Sequence, residues 1–179
     1  MKNQIKIGTF FLVILCTTVA FKFVEFDVKS LLDDRIELKI PSEFEIMSDE
    51  LLAIKYPSAN RPTLVYSNET GGINVAFNHT PNQANQEAIA PIEENLFQVF
   101  KTNFPTAEWK DHGIKEINGR QVGYLEMITP AIDTDIYNLL FFTDVDGRLL
   151  ICTFNCTIHR AELWEEPAHE IMQSLKVVI

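Results

Sequence analysis

Three long hydrophobic segments follow one another in the second half of the chain and are separated by short polar segments. They comprise residues 120–128, 136–144 and 148–156, and they are rich in Ile, Leu, Phe, Tyr and Val. Asn118-Gly119 precedes the first segment and Asp146-Gly147 precedes the third. Tight β-hairpins favour Asn-Gly and Asp-Gly because both turn residues need a positive φ. The pattern therefore predicts an antiparallel β-meander.

The second and third segments are apolar on both faces of the predicted strands. Successive side chains of a strand point to opposite sides. One side of the second segment carries Ile136, Leu140 and Phe142, and the other carries Tyr137, Leu139 and Phe141. Residues 148–154 show the same arrangement. A strand that is apolar on both sides needs cover on both sides, so we expect these two strands in a central layer.

Two amphipathic helices supply the predicted cover. The first has an apolar stripe at spacings of three and four, formed by Ile89, Ile92, Leu96, Phe100 and Phe104. It should begin near Pro91 and end before Pro105, since proline is tolerated only in the first turn. The second helix has Leu163, Trp164, Ala168, Ile171, Met172 and Leu175 on one buried face. Pro167 is expected to break or restart this helix.

The remaining segments complete the predicted sheet. Strands are expected at residues 35–40, 63–67, 73–78 and 107–117, with a terminal strand at 176–179. Residues 47–56 fit either a short helix capped near Ser48 or a strand. Together these elements predict an α+β fold, in which an antiparallel β-sheet meander is flanked by helices as an α/β/α sandwich. We assign residues 33–179 to this single domain and residues 21–32 to a lead-in segment.

The N-terminus has the form of a secretory signal peptide. Lys2 and Lys6 precede the apolar residues 7–16, and the small residues Thr18 and Ala20 suit a cleavage site. The apolar run is shorter than the roughly 20 residues of a spanning helix. Aromatic and aliphatic residues continue after Lys22, so an uncleaved anchor remains an alternative. We therefore interpret residues 1–20 as a signal peptide or an N-terminal anchor.

The three cysteines allow specific expectations. Cys16 could carry a lipid, but Leu15 stands where lipoprotein signals have a small residue. Cys152 and Cys156 lie four positions apart, which is roughly 13 Å along a strand. A disulfide needs Cα atoms closer than about 7 Å, so these two cysteines should be free, buried thiols.

Charge makes one class of partner unfavourable. The chain of 179 residues has a formal net charge of −10 and a pI near 4.8, which opposes binding to nucleic acid phosphates. Its hydrophobic fraction of 46% and its 13 Phe indicate a packed globular domain.

No motif indicates catalysis, a cofactor or a metal. His169-Glu170 lacks the second histidine of a zinc helix, so His169 is expected on a helix surface, and His79 and His112 are expected to be isolated polar residues. The segment from Asp144 to Gly147 is interpreted as a turn, although Asp133 and Asp135 could join it around an ion if the loops converged. Trp164 should lie in the core, and Trp109 should pack rather than stand exposed.

The order of elements resembles the PsbP-like superfamily. The residues that carry this likeness are the strand ending Ile40-Pro41, the Asn118-Gly119 turn and the helix end at Ser174-Leu175-Lys176. The superfamily includes a photosystem II extrinsic protein, a Ran-binding nuclear import factor, DcrB-like envelope proteins and Eag chaperones. The resemblance covers roughly residues 33–178 and implies a binding or assembly protein rather than an enzyme. No functional residue can be carried over from it.

These observations favour a non-catalytic binding or assembly domain that is exported to the cell envelope, in the periplasm or outside the cell. Its expected partner is an envelope protein, and its expected membrane contact is the N-terminal segment, if that segment is retained. The alternative is a small-molecule or lipid carrier with a pocket between the sheet and the long helix, lined by Phe97, Phe100 and Phe104. A hydrolase whose site residues converge only in three dimensions is a third hypothesis.

Overall fold

The computed structural model describes residues 23–58 and 61–178. These residues form a seven-stranded sheet, a three-stranded sheet and three α-helices. In chain order the elements are β1 (Phe26–Leu31), β2 (Ile36–Pro41), β3 (Glu45–Ile46), α1 (Asp49–Lys55), β4 (Leu64–Ser67), β5 (Ile73–Gln83), a single 3-10 turn (Gln86–Ala88), α2 (Ile89–Asn103), β6 (Glu108–Ile117), β7 (Arg120–Thr129), β8 (Ile136–Val145), β9 (Arg148–Thr157), α3 (Ile158–Gln173) and β10 (Lys176–Val177). The predicted α+β class is confirmed.

The large sheet contains the predicted meander. Its strand order is β3-β4-β5-β9-β8-β7-β6, and each neighbouring pair is antiparallel. The two hairpin turns have the expected positive φ values, at Asn118 (49°) with Gly119 (77°) and at Asp146 (51°) with Gly147 (73°). These left-handed conformations suit a two-residue turn, because they match the twist of the flanking strands.

Helices cover both faces of the large sheet, as predicted. On one face α3 packs Trp164, Ala168 and Ile171 against a continuous core that includes Tyr137 and Phe141 of β8. On the other face α2 packs against β6, β7 and β8. We call these the α3 face and the α2 face. Strand β8 is apolar on both sides because it has helical cover on both sides.

The small sheet lies beside α3 and extends the core on that face. Its order is β1-β2-β10, and Ile36, Leu38 and Ile40 of β2 are fully buried in the core of the α3 face. Strand β1 comes from the predicted lead-in segment and pairs with β2 along all six of its residues. The lead-in is therefore part of a sheet, and its turn into β2 uses left-handed conformations at residues 32–34.

Helix α3 differs from the sequence-based prediction in two ways. It is one continuous helix from Ile158 to Gln173, with Pro167 inside it, so the expected break was wrong. Proline removes one helical hydrogen bond. The buried residues Trp164 and Ala168 fix the helix on either side of it. Leu163, which was predicted to be buried, is 74% exposed.

Two further segments are longer or better defined than the sequence indicated. Residues 47–56 adopt the helical alternative, and the Ser48 side chain caps α1 by accepting a hydrogen bond from the Leu51 amide at 3.3 Å. Strand β5 continues past the predicted end at residue 78 to Gln83. Its register shifts between His79 and Gln83, and an irregularity of this kind accommodates Pro81.

The predicted signal peptide or anchor, including Cys16, lies outside the described residues. Within residues 23–58 and 61–178, no helix combines the length and the hydrophobicity needed to cross a bilayer.

Candidate functional site

A strip of the large sheet is left uncovered between the two helices on the α2 face. Helix α1 covers one side of the strip by packing around Val65 and Ala76, whereas α2 covers the other side around Leu125 and Leu140. Strand β9 runs between them. Its residues Ile151, Thr153 and Asn155 are only partly buried, although their neighbours on the α3 face are completely buried. We call this strip and its walls the groove.

The floor of the groove changes from apolar to polar along its length. Strand register aligns three rows of side chains across β5, β9 and β8. The first row is Asn78, Ile151 and Phe142, the second is Ala76, Thr153 and Leu140, and the third is Asn74, Asn155 and Asn138. A row of three asparagines therefore closes the floor at the end where β9 runs into α3.

The groove consists of two adjoining sections, each of about 270 Å³. The apolar section is walled by Leu96 and Phe100 of α2 on one side and by Tyr56 and Pro62 on the other. The polar section is lined by Lys55, Tyr56, Gly71, Gly72, Asn74, Ile136, Asn155, Cys156 and Thr157. Tyr56 and Asn155 line both sections, so the two sections meet at these side chains.

Hydrogen bonds organise the polar section but leave part of its capacity unused. The Tyr56 hydroxyl and Asn155 Nδ2 both donate to Asn74 Oδ1, at 3.3 Å each. Burial raises the pKa of Tyr56, which keeps this hydroxyl protonated as a donor. Among the described residues, neither Nδ2 of Asn74 nor Oδ1 of Asn155 has a hydrogen-bond partner. These two atoms offer one donor and one acceptor to a ligand.

The charge of the groove is the reverse of the charge of the chain. Neither section is lined by an Asp or Glu, and the charged side chain that lines the polar section is Lys55. Lys55 forms no ion pair within the described residues. Three other cavities on the described surface are each lined by at least one carboxylate, from Glu25, Glu43, Glu45, Glu69 or Glu116. The groove is thus a neutral to basic surface on an acidic domain.

The predicted pocket between the sheet and the long helix exists in part. Phe100 lines it as expected. Phe97 turns away from it and stacks on His112, with ring centroids 3.8 Å apart. Phe104 follows the helix, is 39% exposed and stacks on Phe100. The prediction placed all three in the pocket, but Phe97 lies on the side of α2 that faces the edge strand β6.

Two histidines, of which one was expected to be isolated and the other to lie on a helix surface, are instead paired with buried carboxylates. Nδ1 of His112 lies 2.7 Å from Oε1 of Glu93, which is on the sheet-facing side of α2. Nε2 of His169 lies 3.1 Å from Oε2 of Glu126 on β7. No sequence pattern indicated either pair, because the partners come from different elements that meet only on packing.

Glu126 is the most enclosed of the charged groups on the α3 face. Its other oxygen accepts a hydrogen bond from the Tyr137 hydroxyl at 2.8 Å. Burial opposes ionisation of Glu126, but the hydrogen bonds from His169 and Tyr137 outweigh it and lower the pKa of this carboxyl. The arrangement links α3, β7 and β8, and it has a structural rather than a catalytic geometry because Tyr137 is completely buried.

The other two histidines have local partners. Nε2 of His79 lies 3.1 Å from the Val145 carbonyl oxygen, and its Nδ1 accepts from Arg148 at 3.2 Å. His159 contacts the Thr157 hydroxyl at 3.3 Å.

The acidic turn residues do not converge. Asp144 binds Arg120 at 2.6 Å and accepts from Gln86 at 2.7 Å. Asp133 and Asp135 lie before the opposite end of the ten-residue strand β8, roughly 30 Å away at about 3.3 Å per residue. The suggested joint ion site is therefore wrong. The described residues contain no group of three His, Cys, Asp or Glu side chains arranged to hold a metal ion.

The expectations for tryptophan and cysteine are confirmed. Trp164 is buried between Phe44 and Phe154, with ring centroids 5.5 Å and 5.8 Å away. Trp109 packs edge-on against Phe97 at 4.8 Å. Cys152 and Cys156 are free, buried thiols on the α3 face.

Comparison with solved structures identifies the fold. A cyanobacterial PsbP, CyanoP from Synechocystis, matches with a TM-score of 0.60 and 13% identity, over 93% of this chain and 99% of CyanoP. The Ran-binding protein Mog1p of Saccharomyces cerevisiae matches with a TM-score of 0.51 and 10% identity, over 87% and 97% of the two chains. The chain has the PsbP-like fold, which confirms the resemblance.

A third match comes from an envelope protein. LpqN, which is involved in cell envelope biogenesis of Mycobacterium tuberculosis, matches with a TM-score of 0.52 and 9% identity, over 80% of this chain and 83% of LpqN. No family model and no curated protein matches the sequence. With identities this low, the likeness concerns the fold and transfers no site residue.

Proposed function

We propose that this chain, with its PsbP-like fold, is a non-catalytic binding domain of the cell envelope that takes a largely apolar ligand into the groove. The observation that carries the proposal is the uncovered strip over β9. Helix α2 covers the neighbouring strands β7 and β8 on this face, yet here Ile151 and Thr153 remain partly exposed beside Leu96 and Phe100. Uncovered apolar surface lined by a few polar groups is the usual form of a ligand site.

A role at the envelope is supported by two separate considerations. The signal-like residues 1–20 direct the chain out of the cytoplasm in this proposal, whether they are cleaved or kept as an anchor. LpqN, a solved structure of similar fold, is involved in cell envelope biogenesis.

A protein partner is part of the proposal. Mog1p, which shares the fold, is a Ran-binding protein. An assembly or carrier domain exchanges its ligand with another component, and here that component would be a protein of the envelope. Its identity is the first question for experiment.

Site-specific photo-crosslinking in the native host tests the proposal. A photoreactive amino acid replaces Thr153 on the groove floor, and in a matched strain it replaces Ile114 on the edge strand β6. Position 153 should give a discrete adduct that position 114 lacks, identified by mass spectrometry. Equal labelling at both positions, or no adduct at position 153, would contradict the proposed role of the groove.

A further inference from the structure

We infer that the ligand of the groove is an anionic amphiphile with a single acyl chain, which lies over β9 with its head group at Lys55. The inference rests on the proposed function, because it names the chemistry of the ligand for the same groove. The shared chemistry is a long alkyl tail joined to a carboxylate or a phosphate.

The apolar section suits the tail. Leu96, Phe100, Leu140 and Ile151 present only carbon atoms from their side chains, and they lie on one wall and the floor. Removing an alkyl chain and these side chains from water is favourable without any directional bond. A tail of this kind gains from every methylene buried in such a section, whereas a polar ligand gains nothing there.

The dimensions favour one chain rather than two. Ile151 and Thr157 bound the floor along β9 and lie six residues apart, which is roughly 20 Å at about 3.3 Å per residue. Two sections of about 270 Å³ each follow this line. The two sections adjoin at Tyr56 and Asn155, and their summed volume lies within the range of ligand pockets, which is about 300–1,000 Å³. A single extended chain fits this shape.

The polar section suits an anionic head. Lys55 provides an ammonium group without an ion pair within the described residues, and Asn74 provides an unused Nδ2 donor. Carboxylate and phosphate oxygens accept hydrogen bonds from both kinds of donor. A head with only donors would leave these groups without partners.

The absence of carboxylates from the groove lining also supports a negatively charged ligand. The chain has 25 Asp and Glu against 15 Lys and Arg, so a lining chosen at random would carry acidic groups. The described lining of both sections carries none. An anion entering the groove therefore meets a cation and no repulsive neighbour in the lining, whereas it meets at least one carboxylate in each of the three other cavities.

Binding of defined amphiphiles to the full-length protein tests the inference. The affinities of palmitate, palmitoyl lysophosphatidic acid and the neutral analogue hexadecanol are measured by displacement of a fluorescent fatty acid. Palmitate or the lysophosphatidic acid should bind, and the stronger of the two identifies a carboxylate or a phosphate head. Native mass spectrometry of protein purified from its host should show a bound species of the same class.

Two variants with matched controls locate the ligand. Thr153→Phe fills the middle of the floor and should weaken binding of all three probes at least about tenfold, whereas Ile114→Phe on β6 should leave it unchanged. Lys55→Gln should weaken binding of the anionic probes about two- to fivefold, the size of an exposed ion pair, and leave hexadecanol unchanged. Lys101→Gln, an exposed lysine of α2 outside the groove lining, is the control.

The outcomes separate the two proposals. Failure of both anionic probes to bind, or binding that Thr153→Phe does not weaken, overturns the inference. If the crosslinking at position 153 then yields a discrete protein adduct, the groove remains the binding surface and only the ligand class is wrong. If crosslinking also fails, the proposed function falls with it.

Discussion

The two faces of the seven-stranded sheet are built from the same strands but differ in how completely they are covered. On the α3 face, α3 and the small sheet join the strands in one continuous core. On the α2 face the buried residues form three small clusters, and the groove lies between the cluster under α1 and the two clusters under α2. Adjacent residues of β9 therefore have different tasks, since Leu150, Cys152 and Phe154 are completely buried while Ile151 and Thr153 are partly exposed. One strand thus contributes to the core with one side and, in the proposed function, to binding with the other.

Alanine substitution of neighbouring residues on β9 is the strongest test of this difference. Leu150→Ala removes a completely buried side chain from the α3 face and should lower the free energy of unfolding by about 2–5 kcal/mol. Ile151→Ala, on the groove floor, should cost about 1 kcal/mol, since solvent already reaches the site. Urea unfolding followed by circular dichroism measures both. Equal losses would show that the groove floor is as important for stability as the core.

A glycine marks the well-packed part of the α2 face. A Cβ at Gly123 on β7 would lie 2.4 Å from two ring carbons of Phe142, which is completely buried. Gly123→Ala should therefore lower the free energy of unfolding by about 1–3 kcal/mol through overpacking. Adding Phe142→Leu in the same molecule should recover part of this loss, because it removes the clashing ring atoms. If the two substitutions lower the free energy of unfolding additively in the double variant, the clash with the Phe142 ring is not the cause of the loss.

Acid stability should depend on the buried carboxyl of the α3 face. The lowered pKa of Glu126 means that its stabilising contribution is complete above the ordinary glutamate value of about 4.3 and is lost as the pH falls through the lowered pKa. The groups that face it are Tyr137, His169 and Lys110. Glu126→Gln should be less stable at neutral pH and should lose less stability on acidification. Glu37→Gln, at an exposed ion pair with Lys176, is the control, and unfolding is measured from pH 7 to pH 3.

The smallest expected effect concerns the two buried thiols, which should not react in the folded protein. Burial raises the pKa of Cys156 to about 12 and that of Cys152 well above the usual range, so neither thiol should react with an alkylating reagent in the folded protein. Thr153→Cys places a thiol on the groove floor next to Cys152, and it should react quickly without loss of stability. Peptide mapping distinguishes these thiols from Cys16. Rapid native labelling of Cys152 would show that the α3 face opens.

The meander was predictable because its signals are local. The Asn118-Gly119 and Asp146-Gly147 turns follow from the φ values that such turns need, and the doubly apolar segment 136–142 required a central position. Strand β1 was not recognised, because its residues Phe26–Leu31 have weak alternation and acquire their conformation by pairing with β2. The continuity of α3 through Pro167 depends likewise on tertiary packing.

The groove was predictable only in outline. The helical stripe correctly indicated a contact between α2 and the sheet, but not which part of the sheet would stay uncovered. Asn74, Asn138 and Asn155 belong to three strands that are far apart in sequence, and only the register of β5, β9 and β8 aligns them. The pairs between His112 and Glu93 and between His169 and Glu126 escaped prediction for the same reason.

The alternation along β9 also separates two kinds of evolutionary change. In the proposed function, substitutions at Ile151, Thr153 and Asn155 alter what the groove recognises, and they leave the completely buried side chains of the α3 face unchanged. Descendants of this chain can therefore acquire new ligands by single replacements on one side of one strand, while selection for a folded domain acts on the other side.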